Sequence, residues 1–184
     1  MSEHVCPFWV GYLLLSPVRK LVTNPSRILR PYVKPGMRAL DAGTAMGFFS
    51  LPLARLVGAS GHVVCVDLQE KMIEKLKSRA RDAELEERME FRVCTKDSLR
   101  IDDLAGTIDI ALAVAVVHEV PDARRFFTEV FAALKKGGIL WFSEPAGHVT
   151  ADGFAGSISL ARAVGFEIGE TRKVFRSHSA LLTK

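Results

Sequence analysis

The feature that most constrains the fold is an alternation of short apolar runs with longer amphipathic runs along most of the chain. Apolar runs of strand length recur from residue 38 onward, and segments with apolar residues at helical spacing lie between them. This alternation is typical of a parallel sheet covered by helices on both faces. We predict strands at residues 38–41, 63–67, 90–94, 108–113 and 139–143, and helices at residues 47–57, 69–83, 123–134 and 151–164.

Two glycines mark the end of the third of these helices. Lys135 and Lys136 precede Gly137 and Gly138. Cations are favoured in the last turn of a helix, and glycine is favoured just beyond it. The four residues therefore predict a helix end followed by a turn.

The two ends of the chain depart from the alternation. Residues 167–183 have the composition of two further short strands, of which the alternating segment 174–182 is the clearer. Residues 1–36 contain an aromatic and apolar run at 8–15, and four prolines follow it. We predict one or two short helices there, which form either a cover for the core or a lid over a ligand crevice, with the main domain at residues 37–184.

Length and composition indicate one globular domain. The 184 residues are 48% hydrophobic, which is enough for one well-packed core and excludes a disordered or fibrous class. Cys6, Cys65 and Cys94 form no CxxC pair, so neither a disulfide framework nor a zinc knuckle is indicated. We expect a cytoplasmic protein, because we find no signal-peptide pattern and the run at 8–15 is shorter than the roughly 20 residues of a membrane span.

The charge of the chain does not point to nucleic acid. The formal net charge is +4, but the basic residues are spread along the sequence. The densest basic group, residues 71–81, is interleaved with Glu70, Glu74 and Asp82 at helical spacing. That pattern is typical of a solvated helix face.

A glycine loop follows the first predicted strand, in the sequence Leu40-Asp41-Ala42-Gly43-Thr44-Ala45-Met46-Gly47. A dinucleotide-binding turn requires Gly-x-Gly-x-x-Gly, whereas this loop has Ala45 at the second glycine position and Phe48 at the third. We expect Ala45 to be confined to right-handed or extended dihedrals. The loop therefore suits a ligand that approaches the backbone closely without a pyrophosphate.

The segment "LDAGTAMGFFS" resembles the first motif of class I S-adenosylmethionine-dependent methyltransferases, Asp-x-Gly-x-Gly-x-Gly. Later segments are similar to further landmarks of that family: residues 63–67 with a terminal acid, "HEVPD" at 118–122, and "ALKKGGILWFSEP" at 133–145. The resemblance covers residues 37–166. It implies a single-domain α/β fold, a three-layer doubly wound, Rossmann-like and mostly parallel seven-stranded sheet whose last strand is antiparallel.

The resemblance also implies S-adenosylmethionine as cofactor and S-adenosylhomocysteine as product. Asp67 is placed to accept hydrogen bonds from the ribose hydroxyls. Asp41 is placed near the ammonium group of the cofactor, directly or through water. Cys94, Thr95 or Asp97 follows the third strand, where the family contacts the adenine amino edge. The expected cofactor residues are Asp41, Gly43, Thr44, Gly47, Asp67, Leu68, Cys94, Thr95 and Ala113.

Polar residues after the fourth and fifth strands are the candidates for the acceptor side. His118, Glu119, Glu144 and His148 are expected at the carboxyl edge of the sheet, beside the reactive methyl group. We predict His118, Glu119 and Glu144 as catalytic residues, with His118 as the group that orients or deprotonates the acceptor and Glu144 in reserve. The same residues could be read as metal ligands, but no helix-spaced pair supports a metal, and we predict none.

The predicted acceptor is a small molecule, methylated by in-line displacement. Methyltransferases that act on exocyclic base amines share an Asn/Asp-Pro-Pro-aromatic motif after the fourth strand, and here that position reads Val117-His118-Glu119-Val120. The alternatives are an RNA or protein methyltransferase and a catalytically silent cofactor-binding module. We expect no nucleic-acid partner and no transmembrane segment, and the sequence leaves the oligomeric state open.

Overall fold

The computed structural model describes residues 23–174 and 176–184. Within them the strands are β1 (Arg38–Ala42), β2 (His62–Asp67), β3 (Met89–Val93), β4 (Ile108–Val114), β5 (Leu134–Pro145), β6 (Glu167–Val174) and β7 (Ser177–Thr183). The α-helices are α1 (Pro25–Leu29), α2 (Ser50–Val57), α3 (Glu70–Asp82), α4 (Ala123–Ala133) and α5 (Ala151–Val164).

One sheet contains all seven of these strands, in the order β3-β2-β1-β4-β5-β7-β6. The pairs from β3 to β5 are parallel, and β7 runs antiparallel to both β5 and β6. The predicted fold, a mostly parallel doubly wound sheet with an antiparallel last strand, is confirmed. The chain order reverses between β1 and β4, and this is the position where ligands bind in open α/β sheets.

Side chains alternate between the two faces of the sheet and form two separate cores. Leu40 and Ala42 point into the cluster that packs against α4 and α5, where Phe127 and Phe142 make an edge-to-face contact. Ala39 belongs to the opposite cluster, which packs against α1, α2 and α3. The period-2 alternation of the strands thus produces the three layers.

The lysine-glycine segment is part of a strand rather than a helix end. Helix α4 ends at Ala133, and β5 begins at Leu134, which pairs with Ile108. The prediction that Lys135 and Lys136 lie in the last helical turn, followed by a separate turn, was wrong. The cause is tertiary pairing: Lys135 Nζ donates to Asp109 Oδ1 at 2.6 Å, and Leu134 is fully buried.

The described part of the N-terminal segment packs on the core. Leu29 and Val33 are buried in the cluster beneath α2. Residues 1–22, which contain the apolar run and Cys6, lie outside the described residues, so the choice between cover and lid stays a prediction. None of the helices in the described ranges has the length and apolar character that a membrane crossing requires.

Candidate functional site

Four parallel strands of the sheet direct most of the predicted site residues to one edge. The glycine loop follows β1, and Asp67 is the last residue of β2. His118 lies in a 3₁₀ turn, Val117–Glu119, shortly after β4, and Glu144 is the penultimate residue of β5. Because the carboxyl ends of parallel strands meet at one edge of a sheet, these residues lie at a common edge, where open α/β sheets form their ligand crevice.

The glycine loop has left-handed backbone dihedrals at three alternate positions. The φ angles are +80° at Gly43, +45° at Ala45 and +85° at Gly47. The expectation that Ala45 is right-handed or extended was therefore wrong. Its backbone N–H donates to Asp67 Oδ2 at 2.8 Å, and this bond holds alanine in a conformation that costs about 1–2 kcal/mol for an L residue.

The packing of the chain itself disfavours a side chain at both glycines of the loop. A Cβ atom at position 43 would lie 2.7 Å from the side chain of Val116, and one at position 47 would lie 2.2 Å from Leu76 Cδ1. Since those neighbours are protein atoms, a larger side chain at Gly47 disturbs the fold as well as the loop. The glycine spacing predicted a close approach of the ligand and gave no sign of this packing role.

Asp67 ties the glycine loop to the start of α3. Its Oδ2 accepts the N–H of Ala45, and its Oδ1 accepts the N–H of Gln69 at 2.9 Å. Burial raises the pKa of this carboxyl above its ordinary value, and backbone hydrogen bonds oppose that rise. Each carboxylate oxygen has two acceptor directions, so these two bonds leave acceptor capacity for a pair of hydroxyl groups.

Asp41 is a nearly fully buried carboxylate held by two hydroxyl groups. Its Oδ2 accepts hydrogen bonds from Ser50 Oγ at 2.5 Å and from Thr44 Oγ1 at 3.3 Å, and only 3% of the residue is exposed. Burial raises the pKa of Asp41 to about 6, although the two hydroxyls lower it. A buried carboxylate of this kind is costly for the folded state. Its retention favours a functional role for the charge over a role in stability.

We expect Asp41→Asn to increase the free energy of unfolding at pH 8 by about 2–3 kcal/mol. The folded chain binds the Asp41 proton more tightly than the unfolded chain, so wild-type stability falls as pH rises from about 4 to about 6. Asparagine does not ionise and escapes this loss. Urea unfolding at pH 4 and pH 8 measures the effect, with the exposed Asp82→Asn as control. A gain of equal size at both pH values would contradict the assignment.

Two residues of the site were missed from the sequence. Ser50 is fully buried at the first position of α2 and bonds to Asp41. Arg79 of α3 donates a guanidinium hydrogen bond to the carbonyl oxygen of Met46, inside the glycine loop. Burial and the charge of Arg55 lower the pKa of Arg79. The sequence carried only a weak signal for them, a serine just after the loop and a basic residue within an ordinary charged helix.

The residues predicted near an adenine ring have mixed placements. Leu68 and Cys94 are half-buried at the edge, and burial raises the pKa of the Cys94 thiol to about 11. Thr95 shapes a turn with Ser98, whose N–H donates to Thr95 Oγ1 at 3.2 Å. Ala113 is different, because its side chain is fully buried in the core under α4. Its predicted contact would have to come from its backbone.

His118 and Glu144 form a close pair on the other side of the crevice. The distance from His118 Nδ1 to Glu144 Oε2 is 2.6 Å, and the backbone N–H of His118 donates to Glu144 Oε1 at 3.2 Å. The hydrogen bond to Glu144 raises the pKa of His118, a rise that burial opposes. Glu119 Oε1 lies 3.9 Å from His118 Nε2, and the ring of His148 lies 5.7 Å from the His118 ring, centroid to centroid.

The chemistry of the donor set fits the cofactor that the resemblance implies. Asp67 offers acceptors to a ribose diol, and Asp41 offers a negative charge to an ammonium group. In residues 23–174 and 176–184 we find no group of three or more His, Cys, Asp or Glu side chains placed to hold a metal ion.

Comparisons with known proteins agree with this arrangement. The methyltransferase domain family matches residues 33–173. The chain is 30% identical over 110 residues to the arsenite methyltransferase of Halobacterium salinarum, a match that covers 60% of this chain and 27% of that protein. It is 28% identical over 131 residues to the demethylmenaquinone methyltransferase of Lactobacillus johnsonii, which covers 70% of this chain and 53% of that protein. The chain thus spans between 27% and 53% of the length of these two relatives.

The chain also resembles a solved structure in its fold. The crystal structure of a SAM-dependent methyltransferase from Aquifex aeolicus superposes with a TM-score of 0.86 and covers 97% of this chain and 99% of that chain. The sequence identity is 20%, so this likeness concerns the fold alone.

Proposed function

The chain belongs to the methyltransferase domain family, with the fold of the class I S-adenosylmethionine-dependent methyltransferases, and from that membership we propose that it methylates a small-molecule acceptor. S-adenosylmethionine is the cofactor of this family, and when bound it supplies a methyl group on a sulfonium that an acceptor atom can attack in line. We place the reaction in the crevice at the carboxyl edge of β1, β2, β4 and β5, and we expect a cytoplasmic enzyme.

The observation that supports this proposal most strongly is the pair of buried carboxylates beside the glycine loop. Asp41 and Asp67 are 3% and 9% exposed, and they are the penultimate residue of β1 and the last residue of the neighbouring parallel strand β2. Two acids side by side in a low dielectric are costly for folding alone, and the charge of Asp67 adds to the rise in the pKa of Asp41. One ligand that carries both a diol and a cation accounts for the two together.

We expect Asp67→Asn to weaken binding of S-adenosylhomocysteine by about 10-fold to 100-fold, the effect of losing a charged hydrogen-bond acceptor. Asparagine keeps one acceptor oxygen for a backbone N–H but presents a donor where a ribose hydroxyl must also donate. Isothermal titration measures the affinity, and Asp82→Asn is the control at an exposed acid on α3. Unchanged affinity in a folded Asp67→Asn protein would remove Asp67 from the ribose site.

On the acceptor side we assign the proton transfer to His118. When His118 Nδ1–H donates to Glu144 Oε2, the opposite ring nitrogen, Nε2, is left to accept a proton. Glu144 is 1% exposed, so it fixes the ring orientation and does not itself reach an acceptor. Glu144 is therefore a positioning residue in this proposal. We assign Glu119, 3.9 Å from Nε2, to holding the acceptor beside the ring.

Alignment of the acceptor with the methyl group is the main contribution of the chain to the rate. The chain need not supply an acid to the leaving group, because S-adenosylmethionine would leave as a neutral thioether. Holding two reactants close and in line lowers the barrier by several kcal/mol. A base is needed where the acceptor arrives protonated, and His118 Nε2 then takes the proton.

The small size of the proposed acceptor rests on the sequence after β4 and on the relatives. That segment lacks the motif of enzymes that methylate base amines. The names of the matched relatives refer to arsenite and demethylmenaquinone, both small molecules. These names describe those proteins, and we carry over to this chain only the size class of the acceptor.

Incubation with methyl-labelled S-adenosylmethionine tests the proposal. Separate reactions contain a pool of phenols and hydroquinones, a pool of thiols, arsenite, total RNA, and unfolded protein. We expect label in one of the small-molecule reactions. Label in RNA or protein would identify a polymer acceptor instead. Cofactor binding without transfer to any acceptor would indicate the silent module.

A further inference from the structure

The carboxylate of Asp41 is enclosed by a small hydroxyl network. Ser50 Oγ donates to Asp41 Oδ2 at 2.5 Å, and Thr44 Oγ1 lies 3.3 Å from the same oxygen and within hydrogen-bond distance of Ser50 Oγ. Each hydroxyl has one proton, so Thr44 donates either to Asp41 directly or to Ser50, whose own proton goes to Asp41. Ser50 is fully buried, and Thr44 is 4% exposed. We call Ser50 and Thr44 the hydroxyl clamp. One member comes from the glycine loop and the other from the start of α2, so the clamp joins two elements around the carboxylate.

The charged surroundings of Asp41 disfavour its ionised form. Asp67 on β2 raises the pKa of Asp41 by its negative charge, and Cys65 of β2 lies opposite Asp41 in the strand pairing. The β4 neighbour, Leu112, is apolar. Within the described ranges, the groups that act on the pKa of Asp41 include no cation, and the two hydroxyls are the ones that favour the charge.

We propose that Ser50 and Thr44 are positioning residues that hold the Asp41 carboxylate charged and oriented for the α-ammonium group of the cofactor. This inference rests on the proposed function and adds two residues to it. Hydrogen bonds that donate to a carboxylate favour its charged form. A carboxylate that pairs with a cation is ionised in the complex, and among the residues that the structure describes the two hydroxyls are the groups that favour this form of Asp41.

Cofactor affinity should depend on pH through the ionisation of Asp41, whose pKa the clamp lowers. Burial raises the pKa of Asp41 to about 6, so affinity should fall as pH decreases through that value, because the protonated carboxyl cannot pair with an ammonium group. Loss of a hydroxyl donor raises the pKa further. The low-pH decline in affinity then begins at a higher pH in a clamp variant than in the wild type.

The test is titration of S-adenosylhomocysteine into Ser50→Ala between pH 5 and pH 7.5, where an α-amino group with a pKa near 7.7–8.0 stays largely charged. We expect the midpoint of the affinity profile to move up by about one to two pH units, since a hydrogen bond to a charged group has that strength. The loss of affinity is then roughly tenfold at pH 6 and shrinks towards pH 7.5.

Ser179→Ala is the matched control. Ser179 is a buried serine, 2% exposed, whose hydroxyl bonds to Ser143 rather than to a carboxylate. It should show the wild-type pH profile. Thr44→Val and Thr44→Ser form a second pair, in case Ser50→Ala does not fold: the valine variant should shift the profile, and the serine variant should restore it.

Two further readouts separate the clamp from a general packing effect. The apo protein can be unfolded with urea across the same pH range, and the loss of stability with rising pH should extend to higher pH in Ser50→Ala. 5′-Methylthioadenosine, which lacks the amino-acid part of the cofactor, should bind both proteins equally. A pH-independent loss of affinity, or an equal loss for methylthioadenosine, would overturn the clamp. Failure of the wild type to bind S-adenosylhomocysteine at any pH would instead overturn the proposed function.

Discussion

Replacement of His118 by alanine is expected to lower turnover by roughly 10²-fold or more while the affinity for S-adenosylhomocysteine stays within about threefold. The reason is that His118 lies on the acceptor side of the crevice, and Glu144 Oε2 orients its ring at 2.6 Å from Nδ1. The carboxylates assigned to the cofactor lie on β1 and β2 instead. Single-turnover methyl transfer and calorimetric titration on the same variant give the two numbers.

His62→Ala is the control for this experiment. His62 is paired with a glutamate, Glu90, at 3.6 Å, but it lies at the start of β2, away from the carboxyl edge of the sheet. Its replacement should leave turnover unchanged. Wild-type turnover in His118→Ala would make that histidine structural, and a joint loss of affinity and turnover would place it in the cofactor pocket.

The pH dependence of turnover should reflect the hydrogen bond between His118 and Glu144. Glu144 raises the pKa of His118, so turnover should fall with decreasing pH below a midpoint that lies above the ordinary histidine value of about 6.5. Glu144→Gln removes the largest cause of the rise and should move that midpoint to lower pH, with reduced turnover because the amide can donate to Nδ1 and select the wrong tautomer. A midpoint unchanged by Glu144→Gln would separate the glutamate from proton transfer.

Gly47→Ala is expected to reduce the free energy of unfolding by about 2–5 kcal/mol. About 1–2 kcal/mol comes from the left-handed backbone, with φ at +85°, and about 1–3 kcal/mol comes from overpacking. The new Cβ would lie 2.2 Å from Leu76 Cδ1, and Leu76 is fully buried. Urea unfolding measures the change.

A double-mutant cycle separates the two causes. In a Leu76→Ala background the overpacking part should vanish, so that Gly47→Ala costs only about 1–2 kcal/mol, the backbone part. Gly106→Ala is the control for positive φ without a clash, since its φ is +65° and no atom lies within 4 Å of the added Cβ. Equal costs in both backgrounds would show that Leu76 is not the obstacle.

The strand and helix pattern could be predicted because it depends on periodicity. All five predicted parallel strands and all four predicted helices are present, with ends within a few residues for most of them. Helix α2 starts at Ser50 rather than at residue 47, because the loop keeps left-handed dihedrals up to Gly47. The start of β5 at Leu134, five residues before the predicted strand, was missed because Leu134 pairs with Ile108, which lies 26 residues away in sequence.

The edge of the site could be predicted for a similar reason. Residues in the last two positions of parallel strands meet at one edge whatever their side chains are, so Asp41, Asp67 and Glu144 could be placed from the sequence. Their partners could not. Side-chain rotamers and loop geometry determine the bond from Ser50 to Asp41 and the pairing of His118 with Glu144. Neither of these follows from the periodicity of the sequence.

Calorimetric titration of the chain with S-adenosylhomocysteine and, separately, with NAD shows which of the two ligands the crevice binds. The crevice offers two carboxylates to a diol and an ammonium group, and its loop lacks the glycine pattern that binds a pyrophosphate. We predict saturable binding of S-adenosylhomocysteine, weakened in Asp67→Asn, and no binding of NAD at the same concentrations. Tight binding of NAD with no response to S-adenosylhomocysteine would contradict it.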